Sequence, residues 1–364
     1  MYWQRFLSII ASLFFISALN SSVIAQVSAV PFLLNSPDSR TGAMGDAGVA
    51  LSPDVNSMSN NPAKLVFIDQ SYGFAISYNP WLKALVSGIN LGYVSSFYKL
   101  SERNTLGASI RYFSLGEVRL VDADQQDLGM HRPNEFAIDV SFARKYGESF
   151  SLATSLRYIR SDIGAGQHIS GELIKAGTAM AADISAYYKQ ETIFLGTEAI
   201  VAAGAYISNV GTKLSYTDGT IPFFLPANLK IGAATTFLYG KDTELSVVFD
   251  LNKLLVPSVA DSLNAANDTS VPKGILNSFI DAPGGFKGEM REISIGTGIE
   301  YLYKRQFALR GGFNSRYFAL GAGFKYDVLG IDLAYLMASP EKSPLANSLR
   351  FTLLLNFNGH KQIK

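Results

Sequence analysis

The sequence contains no cysteine and only three histidines among its 364 residues. The absence of cysteine excludes disulfide bonds, thiolate metal sites and a lipid-modified N-terminal cysteine. The histidines are His131, His168 and His360, which lie far apart in the sequence, and no H-E-x-x-H spacing occurs. We therefore expect neither a metal site nor a bound cofactor.

Charge is also scarce, and the two signs are nearly equal. Only 17% of the residues are charged, and 31 basic residues against 30 acidic ones give a formal net charge of +1. No basic run is interleaved with aromatic residues, so nucleic acid is not an expected partner. The chain is nevertheless 48% hydrophobic and carries 32 glycines, 18 tyrosines and 24 phenylalanines. This composition, without a long apolar helix, is typical of an outer-membrane β-barrel.

The N-terminus has the pattern of a secretory signal. Arg5 precedes the apolar run FLSIIASLFFISAL, and Val23 and Ala25 fit a small-residue cleavage site. The apolar run is shorter than the roughly 20 residues that a membrane-spanning helix needs, so cleavage is favoured over an uncleaved anchor. We expect residues 1–25 to be removed on export to the outer membrane of a Gram-negative bacterium, leaving a mature chain that begins at Gln26.

From Tyr72 onward the sequence falls into segments of about ten residues in which apolar and small or polar residues alternate. The clearest is EFAIDVSFARKY, whose apolar parity carries Phe136, Ile138, Val140 and Phe142 and whose other parity carries Ala137, Asp139, Ser141 and Ala143. A strand between lipid and a polar interior requires this period of two. Roughly fourteen such segments predict an all-β, antiparallel transmembrane barrel over residues 71–358, followed by a tail at 359–364.

The connections between these segments alternate in length. One set is short, LSERN, YGES, YGKDTE, YKRQ and YDVLG, with KQETIFLGTE as a longer member, and the other set contains the long segments 116–134, 161–177, 209–227 and 256–290. Short periplasmic turns and longer extracellular loops are characteristic of outer-membrane barrels. The long connections are therefore expected at the cell surface.

About 45 residues of the expected mature chain precede the first predicted strand, and they include the Gly-rich TGAMGDAGVA and then SNNPAKL. The second run has too little periodicity for a helix, and Pro62 has no N–H for a sheet. We interpret Asn61, Pro62 and Ala63 as part of a stiff, irregular plug, and residues 26–70 as a hatch folded into the barrel. The alternative is a disordered periplasmic leader.

Charged residues within the predicted strands share the parity of the small and polar residues. An Arg or Lys on the lipid face near the bilayer midplane costs about 2–4 kcal/mol, so these side chains are expected to face the lumen. Six are basic and five are acidic, which predicts paired charges in a filled lumen rather than the one-sign ring of a selective channel. They are Arg111, Asp139, Arg157, Asp183, Lys230, Asp250, Glu300, Arg310, Lys325, Asp332 and Arg350.

The longest predicted loop, SVPKGILNSFIDAPGGFKGEM, carries apolar residues in a segment that should be solvated. Exposed apolar clusters usually mark contacts, so this loop is the candidate partner-binding site. The alternative is that the loop folds inward and caps the barrel. The candidate residues are Ile275, Leu276, Phe279, Ile280 and Phe286.

No catalytic constellation stands out. Ser170 lies close to His168 in sequence, but this pair has no third group to orient it, and no G-x-S-x-G motif occurs. We therefore do not expect an enzyme.

Several long blocks resemble a known family. The segments VPFLLNSPDSRTGAMGDAGVALSPDVNSMSNNPAKL, PNEFAIDVSFARK, ISNVGTKLSY, LPANLKIGAA and DLNKLLVP, with other blocks along the mature chain, are similar to the PorV-like barrels of the Bacteroidetes type IX secretion system. An "NPA" segment in a hatch ahead of fourteen strands also resembles the wider FadL group of outer-membrane transporters. The end departs from the common pattern, because NGHKQIK follows Phe357 where such barrels usually finish on an aromatic residue.

The resemblance implies a non-enzymatic role in protein secretion. PorV-like barrels collect cargo from the type IX translocon barrel by the cargo's C-terminal domain. They deliver it to a surface sortase complex, which attaches it to lipopolysaccharide of the outer membrane. The alternative is a FadL-like channel for hydrophobic small molecules, which would need an apolar tunnel, whereas the predicted lumen residues are polar.

Overall fold

The structure, a computed structural model, describes residues 26–80, 88–121, 127–164, 166–169, 172–218, 222–258, 269–338 and 348–358. The predicted signal sequence, the tail at 359–364, Ser170 and His360 lie outside the described residues. Among the described helices, none is both long and apolar enough to cross a bilayer.

Within the described ranges, fourteen antiparallel strands pair in sequence order and close into a barrel. The barrel closes where the first strand pairs with the last, with Tyr72 opposite Phe357 and Tyr78 opposite Phe351. The prediction of an all-β barrel with about fourteen antiparallel strands is confirmed. The barrel strands are β1 (Tyr72–Pro80), β2 (Ile89–Ser101), β3 (Asn104–Leu115), β6 (Asn134–Tyr146), β7 (Phe150–Asp162), β10 (Gly177–Phe194), β11 (Thr197–Gly211), β12 (Asn228–Tyr239), β13 (Thr243–Leu254), β14 (Ser294–Tyr303), β15 (Phe307–Asn314), β16 (Tyr317–Tyr326), β17 (Leu329–Ala338) and β18 (Ser348–Phe357).

The barrel strands alternate between a lipid-facing and an inward-facing parity. On β6, Ile138 and Val140 are exposed on the outside, whereas Asp139 and Ser141 are buried on the inside. Successive side chains of a strand point to opposite faces, so one apolar parity covers the outer surface and the other parity lines the lumen. This is the arrangement that a bilayer demands of a barrel.

The hatch, residues 26–70, contains four short helical elements inside the barrel: 3₁₀ helices at Pro31–Leu34, Val55–Ser59 and Pro62–Phe67, and α1 (Ser39–Ala43). Asn61 caps the last of these, because its side chain accepts from Ala63 N at 3.1 Å. Pro62 occupies the first helical position, where its missing N–H costs nothing. The expectation of an irregular element at Asn61-Pro62-Ala63 was wrong, since a 3₁₀ helix of two turns leaves no 3.6-residue periodicity to read.

One end of the barrel, which we call the turn end, carries the hairpin turns after β2, β6, β10, β12, β14 and β16. The segment KQETIFLGTE was expected to form a longer connection here, and this was wrong. β10 continues to Phe194 and β11 begins at Thr197, so only Leu195 and Gly196 form the turn. Both have positive φ, 53° and 81°. A two-residue hairpin of this kind requires that conformation at both positions.

The opposite end, which we call the loop end, carries the long connections. One contains the hairpin β4 (Val118–Val121) and β5 (Asp127–His131), and another contains β8 (His168–Ile169) and β9 (Glu172–Leu173). The connection between β13 and β14 contains two helices, α2 (Val271–Asn277) and α3 (Phe286–Glu292). The connection between β15 and β16 is an exception at this end, because it has only two residues.

The alternation predicts a depth-dependent penalty for charge on the outer face. Val140 lies at the middle of β6 and faces outward, so Val140→Arg should reduce the free energy of barrel unfolding in lipid vesicles by about 2–4 kcal/mol. Tyr146→Arg, at the turn end of the same strand, is the matched control and should cost about 0–1 kcal/mol. Heat-modifiable gel mobility measures the folded fraction. Equal losses for the two variants would contradict the assigned membrane depth.

Candidate functional site

The hatch passes through the lumen from the loop end to the turn end. At its start, Gln26 Nε2 donates to Val256 O at 2.7 Å, beside the long connection that follows β13. At its finish, Ser71 N donates to Phe357 O at 3.0 Å, and the chain enters β1. Between these points the hatch side chains are largely buried, with Met44 fully enclosed. The lumen is therefore occupied by the chain's own N-terminal segment.

An ion network joins the hatch to the barrel wall. Arg40 of α1 binds Glu300 of β14 through two hydrogen bonds, Nη2 to Oε1 at 2.7 Å and Nε to Oε2 at 2.9 Å. Glu300 also accepts from Arg310 Nε at 2.6 Å, and Arg310 pairs in turn with Asp332. On the hatch side, Arg40 Nη1 donates to Asp54 at 3.0 Å. A bidentate, buried pair of this kind combines charge with defined geometry.

A second network lies within the wall itself. Arg157 of β7 pairs with Asp139 of β6 and, at 3.0 Å, with Asp183 of β10. Tyr206 Oη donates to Asp183 at 2.6 Å, and Ser109 Oγ donates to Asp139 at 3.0 Å. The two carboxylates, Asp139 and Asp183, thus bind one arginine and neutral donors on adjacent strands.

Most of the remaining predicted lumen charges contact the hatch backbone. Asp250 accepts from the N–H groups of residues 48 and 49 at 2.7 and 2.9 Å. Arg350 donates to Ser36 O at 2.7 Å, and Arg111 donates to Leu33 O at 2.9 Å. These three side chains are buried, and so is that of Lys230.

Lys325 is an exception among the predicted lumen charges. It shares the inward parity of β16 but is exposed, next to the last residue of the strand at the turn end. The hatch therefore does not cover this side chain, because the parity of a strand gives the direction of a side chain but not how far the hatch extends along that strand.

The Asn61-Pro62-Ala63 segment is fixed to two wall strands. Asn61 Nδ2 donates to Val49 O within the hatch at 2.9 Å and to Ala186 O of β10 at 3.0 Å. Ala63 O accepts from Ser151 Oγ of β7 at 2.6 Å. The hatch backbone also lies very close to the neighbouring wall strand β11, because a Cβ atom added at Gly204 would lie only 2.4 Å from Val49 O. The Asn61-Pro62-Ala63 segment therefore attaches the part of the hatch nearer the turn end to the wall rather than forming a ligand site.

Two hatch residues that the sequence analysis did not name are central to these contacts. Arg40 makes the bidentate pair with Glu300, and Lys64 Nζ donates to Gly48 O at 2.6 Å. Both are buried. A cation in a segment expected to fold inside a barrel is the signal that could have identified them, because a buried charge needs a partner.

The helical connection at the loop end, residues 269–293, forms a lid over the rim of β13. Lys253 Nζ binds Glu289 Oε2 at 2.8 Å and Glu292 Oε2 at 3.0 Å, both on α3. Ser258 Oγ also donates to Glu292, and Ala282 N donates to Glu289 Oε1 at 2.7 Å. The contacts of Lys253 and Ser258 hold the lid from the barrel side, and the Ala282–Glu289 contact lies within the lid.

Glu292, one of these two acidic residues of the lid, also contacts the hatch. Gln26 Nε2 lies 3.3 Å from Glu292 Oε2. Burial raises the pKa of the Asp281 carboxyl, and the nearby Glu289 and Glu292 carboxylates raise it further, although Ser258 N donates to it at 3.2 Å. The lid is therefore attached through several charge-assisted hydrogen bonds rather than through apolar packing alone.

The apolar residues of the predicted partner-binding loop lie mainly on the outside of the lid. Leu276, Ile280 and Phe286 are 70%, 79% and 82% exposed, and Phe279 is 45% exposed. Ile275 is half-buried. The alternative of an inward-folded cap fits instead the small and acidic residues of the lid that are buried, Gly274, Ser278, Ala282, Gly288, Glu289 and Glu292. Met290, which the sequence analysis did not name, is also exposed.

The histidines contribute no assembled site in the described ranges. His131 Nε2 lies 3.7 Å from Asp162 Oδ1, and His168 lies in β8. No group of three or more histidine, aspartate or glutamate side chains in the part of the chain that the structure describes is placed to hold a metal ion.

A closed antiparallel barrel with an apolar exterior and a polar, filled interior defines the class of this protein, an outer-membrane β-barrel. Family comparison narrows the class: the sequence profile described as "Type IX secretion system protein PorV" matches residues 17–261. The chain belongs to this family, and the resemblance seen in the sequence is confirmed.

The fold also matches solved structures. The toluene transporter TodX of Pseudomonas putida aligns with a TM-score of 0.52 at 11% identity, covering 90% of this chain and 99% of TodX. The structure titled "TodX deltaS2S3 mutant monoaromatic hydrocarbon channel" gives 0.52 at 12% identity, covering 88% and 99%. At such low identity the likeness concerns the fold alone. A sequence search of curated proteins gives no significant match.

The Arg40–Glu300 pair should make a large contribution to stability. Arg40→Met leaves Glu300 buried with one of its two arginine partners, and loss of one member of a buried pair typically costs about 3–5 kcal/mol. Urea unfolding in vesicles, followed by gel mobility, measures the change. Arg132→Met is the matched control, because its pair with Glu117 is exposed and should be worth about 1 kcal/mol or less. Equal unfolding midpoints for Arg40→Met and the wild type would contradict this role.

Proposed function

We propose that this protein is a non-enzymatic carrier of type IX secretion. It binds the C-terminal domain of secreted cargo at the translocon barrel and shuttles it within the outer membrane to the surface sortase complex, which attaches the cargo to lipopolysaccharide. The lid is its docking surface. The observation that carries this proposal is the exposure of three large apolar side chains, Leu276, Ile280 and Phe286, on the lid.

The orientation of the barrel supports this assignment. Short turns of outer-membrane barrels face the periplasm and longer loops face the exterior, so the loop end and its lid lie at the cell surface. Secreted cargo leaves its translocon on that side. Exposed apolar residues rimmed by charged ones mark protein contacts, and a few such anchors usually dominate an interface. Lateral diffusion of the barrel would then carry bound cargo between complexes.

The alternative, a channel for hydrophobic small molecules, requires an apolar passage. The cavity between hatch and wall has room for about one water molecule. A larger cavity of about 390 Å³ at the turn end is lined by charged side chains, among them Lys99, Lys145 and Glu148. Neither cavity offers the apolar surface that such a ligand needs.

Conductance distinguishes these functions. Because the hatch fills the lumen and is held by buried ion pairs, the intact protein in planar bilayers should conduct poorly. The conductance is compared with that of a variant lacking residues 26–70. The folded fraction of this variant should conduct measurably, because its lumen no longer contains the hatch. Large, steady conductance of the intact protein would contradict a filled lumen and favour the channel.

The lid prediction is tested by removing its two most exposed anchors. Ile280→Ser with Phe286→Ser should leave barrel folding unchanged, since both side chains are largely in solvent, and should reduce co-purification of translocon or cargo at least tenfold. Affinity purification of the tagged protein from its native outer membrane measures this, and surface attachment of secreted proteins should fall in parallel.

The control changes an equally exposed apolar residue at the other end. Ile193→Ser lies at the turn end, where the side chain is similarly exposed, and should leave partner recovery at the wild-type level. A well-folded double lid variant that retains all partners would contradict the lid assignment. The recognition surface would then be sought in the other long connections at the loop end, residues 117–133 and 161–176.

A further inference from the structure

The hairpin of β10 and β11 extends further at the turn end than the neighbouring strand β7. β7 begins at Phe150, which lies opposite Tyr188, and Lys189 N donates to Ser149 O at 2.8 Å in the turn before it. β10 nevertheless continues to Phe194 and is paired there with β11 alone. Residues 190–194 therefore form an edge strand, which we call the free edge.

The backbone of the free edge has unpaired hydrogen-bonding groups. Lys189 directs its N–H toward the β7 side, and alternate residues of an antiparallel strand direct their backbone groups to the same side. Glu191 and Ile193 therefore present N–H and C=O groups at the free edge, whereas Thr192 pairs with Ala199 of β11. Neither of these two N–H groups has a hydrogen-bond partner among the described residues.

The free edge is also exposed on both faces. All of its residues are exposed, and Ile193 is 74% exposed. It contains no proline, Glu191 is its only charged residue, and the register shift of β10 lies far from it, between Ala182 and Ile184. Native proteins usually protect an exposed edge with prolines, bulges, several charges or a covering segment, because an open row of backbone groups pairs with other chains. The free edge is therefore a template for a further strand.

A cavity adjoins the free edge. The cavity of about 390 Å³ at the turn end is lined by Lys189, Gln190 and Glu191 of β10, and its other lining residues include Lys99 and Ser149. A strand added to the free edge would direct alternate side chains toward this cavity. Because charged groups of both signs line it, the cavity suits the polar side chains of a peptide rather than an apolar ligand.

We propose that the free edge of β10 binds an extended segment of a periplasmic protein, which joins the barrel sheet as one more strand. Main-chain hydrogen bonds to Glu191 and Ile193 supply the pairing, a pattern of donors and acceptors that an extended polypeptide matches. The segment carries a basic residue opposite Glu191 and an apolar residue opposite Ile193, since such cross-strand pairs are favourable. The turn end faces the periplasm, so this partner differs from those of the lid at the opposite end.

The first test attaches a probe peptide beside the free edge. The chain has no cysteine, so Glu148→Cys gives a single attachment point, in the turn next to Ser149 and with a side chain that is 92% exposed. The peptide Thr-Ile-Thr-Lys-Thr, joined there by a disulfide through a flexible linker, has a high effective concentration at the edge. It should slow hydrogen exchange of residues 190–194 at least tenfold.

The control for this test is the same peptide with a fully N-methylated backbone, which cannot donate to the free edge. It should leave hydrogen exchange of residues 190–194 unchanged. Equal exchange with the two attached peptides would contradict strand addition at this edge.

The second test uses the full protein in its native outer membrane. A photo-reactive amino acid in place of Thr192 should form an adduct with one segment of a periplasmic protein, and mass spectrometry of the adduct should map that segment to an alternating sequence. Ile193→Pro removes an edge N–H without removing a bond to β11, so the barrel should fold and the adduct should fall at least tenfold. Ile193→Ser keeps the N–H and should retain the adduct. Glu191→Pro serves the same purpose if Ile193→Pro does not fold.

Three outcomes of the second test would overturn the proposal. Absence of an adduct would mean that the edge remains open in the cell. An adduct between two copies of this chain would show self-association instead. An adduct that persists in the folded proline variants would show a contact through side chains and not through an added strand.

Discussion

The interaction on which the rest of this structure depends is the pairing of Arg40 in the hatch with Glu300 in the wall. A barrel of fourteen strands is too wide for its own side chains to fill, so its interior must hold water or another part of the chain. Here it holds the hatch, whose backbone and charges then need partners. The wall supplies them through inward-facing charged residues, and through glycines such as Gly204 that let the hatch approach closely.

This use of the inner face limits what the lumen can do. Glu300 is shared between Arg40 and Arg310, and Asp250 is occupied by two hatch N–H groups. Charges committed to such pairs cannot also form a selective ring or bind a diffusing substrate, since each new contact would break a buried one. Polar residues in a barrel lumen therefore need not indicate transport. In this protein they hold the plug, and we propose that recognition of cargo is left to the loop end.

The barrel could be predicted from the sequence because lipid imposes a rule that every strand obeys. The alternation of Ile138 and Asp139 on β6 is readable without tertiary information. The hatch is different: α1 has five residues, too few for a periodic signal, and Arg40 acquires its role only from a strand 260 positions away in sequence. The turn at Leu195-Gly196 was also misjudged, because its length depends on how far two strands continue to pair beyond the membrane.

The position of the lid depends on both the barrel wall and the hatch. Glu292 accepts from Lys253 at the barrel rim and from Gln26 at the start of the hatch, so a single carboxylate connects lid, wall and plug. The exposed residues Ile280 and Phe286 lie on the segment that this carboxylate helps to anchor. An apolar surface is useful for recognition only when its position is defined, since ordering a flexible segment on binding costs affinity. The polar contacts that fill the barrel therefore also help to set the position of the surface above it.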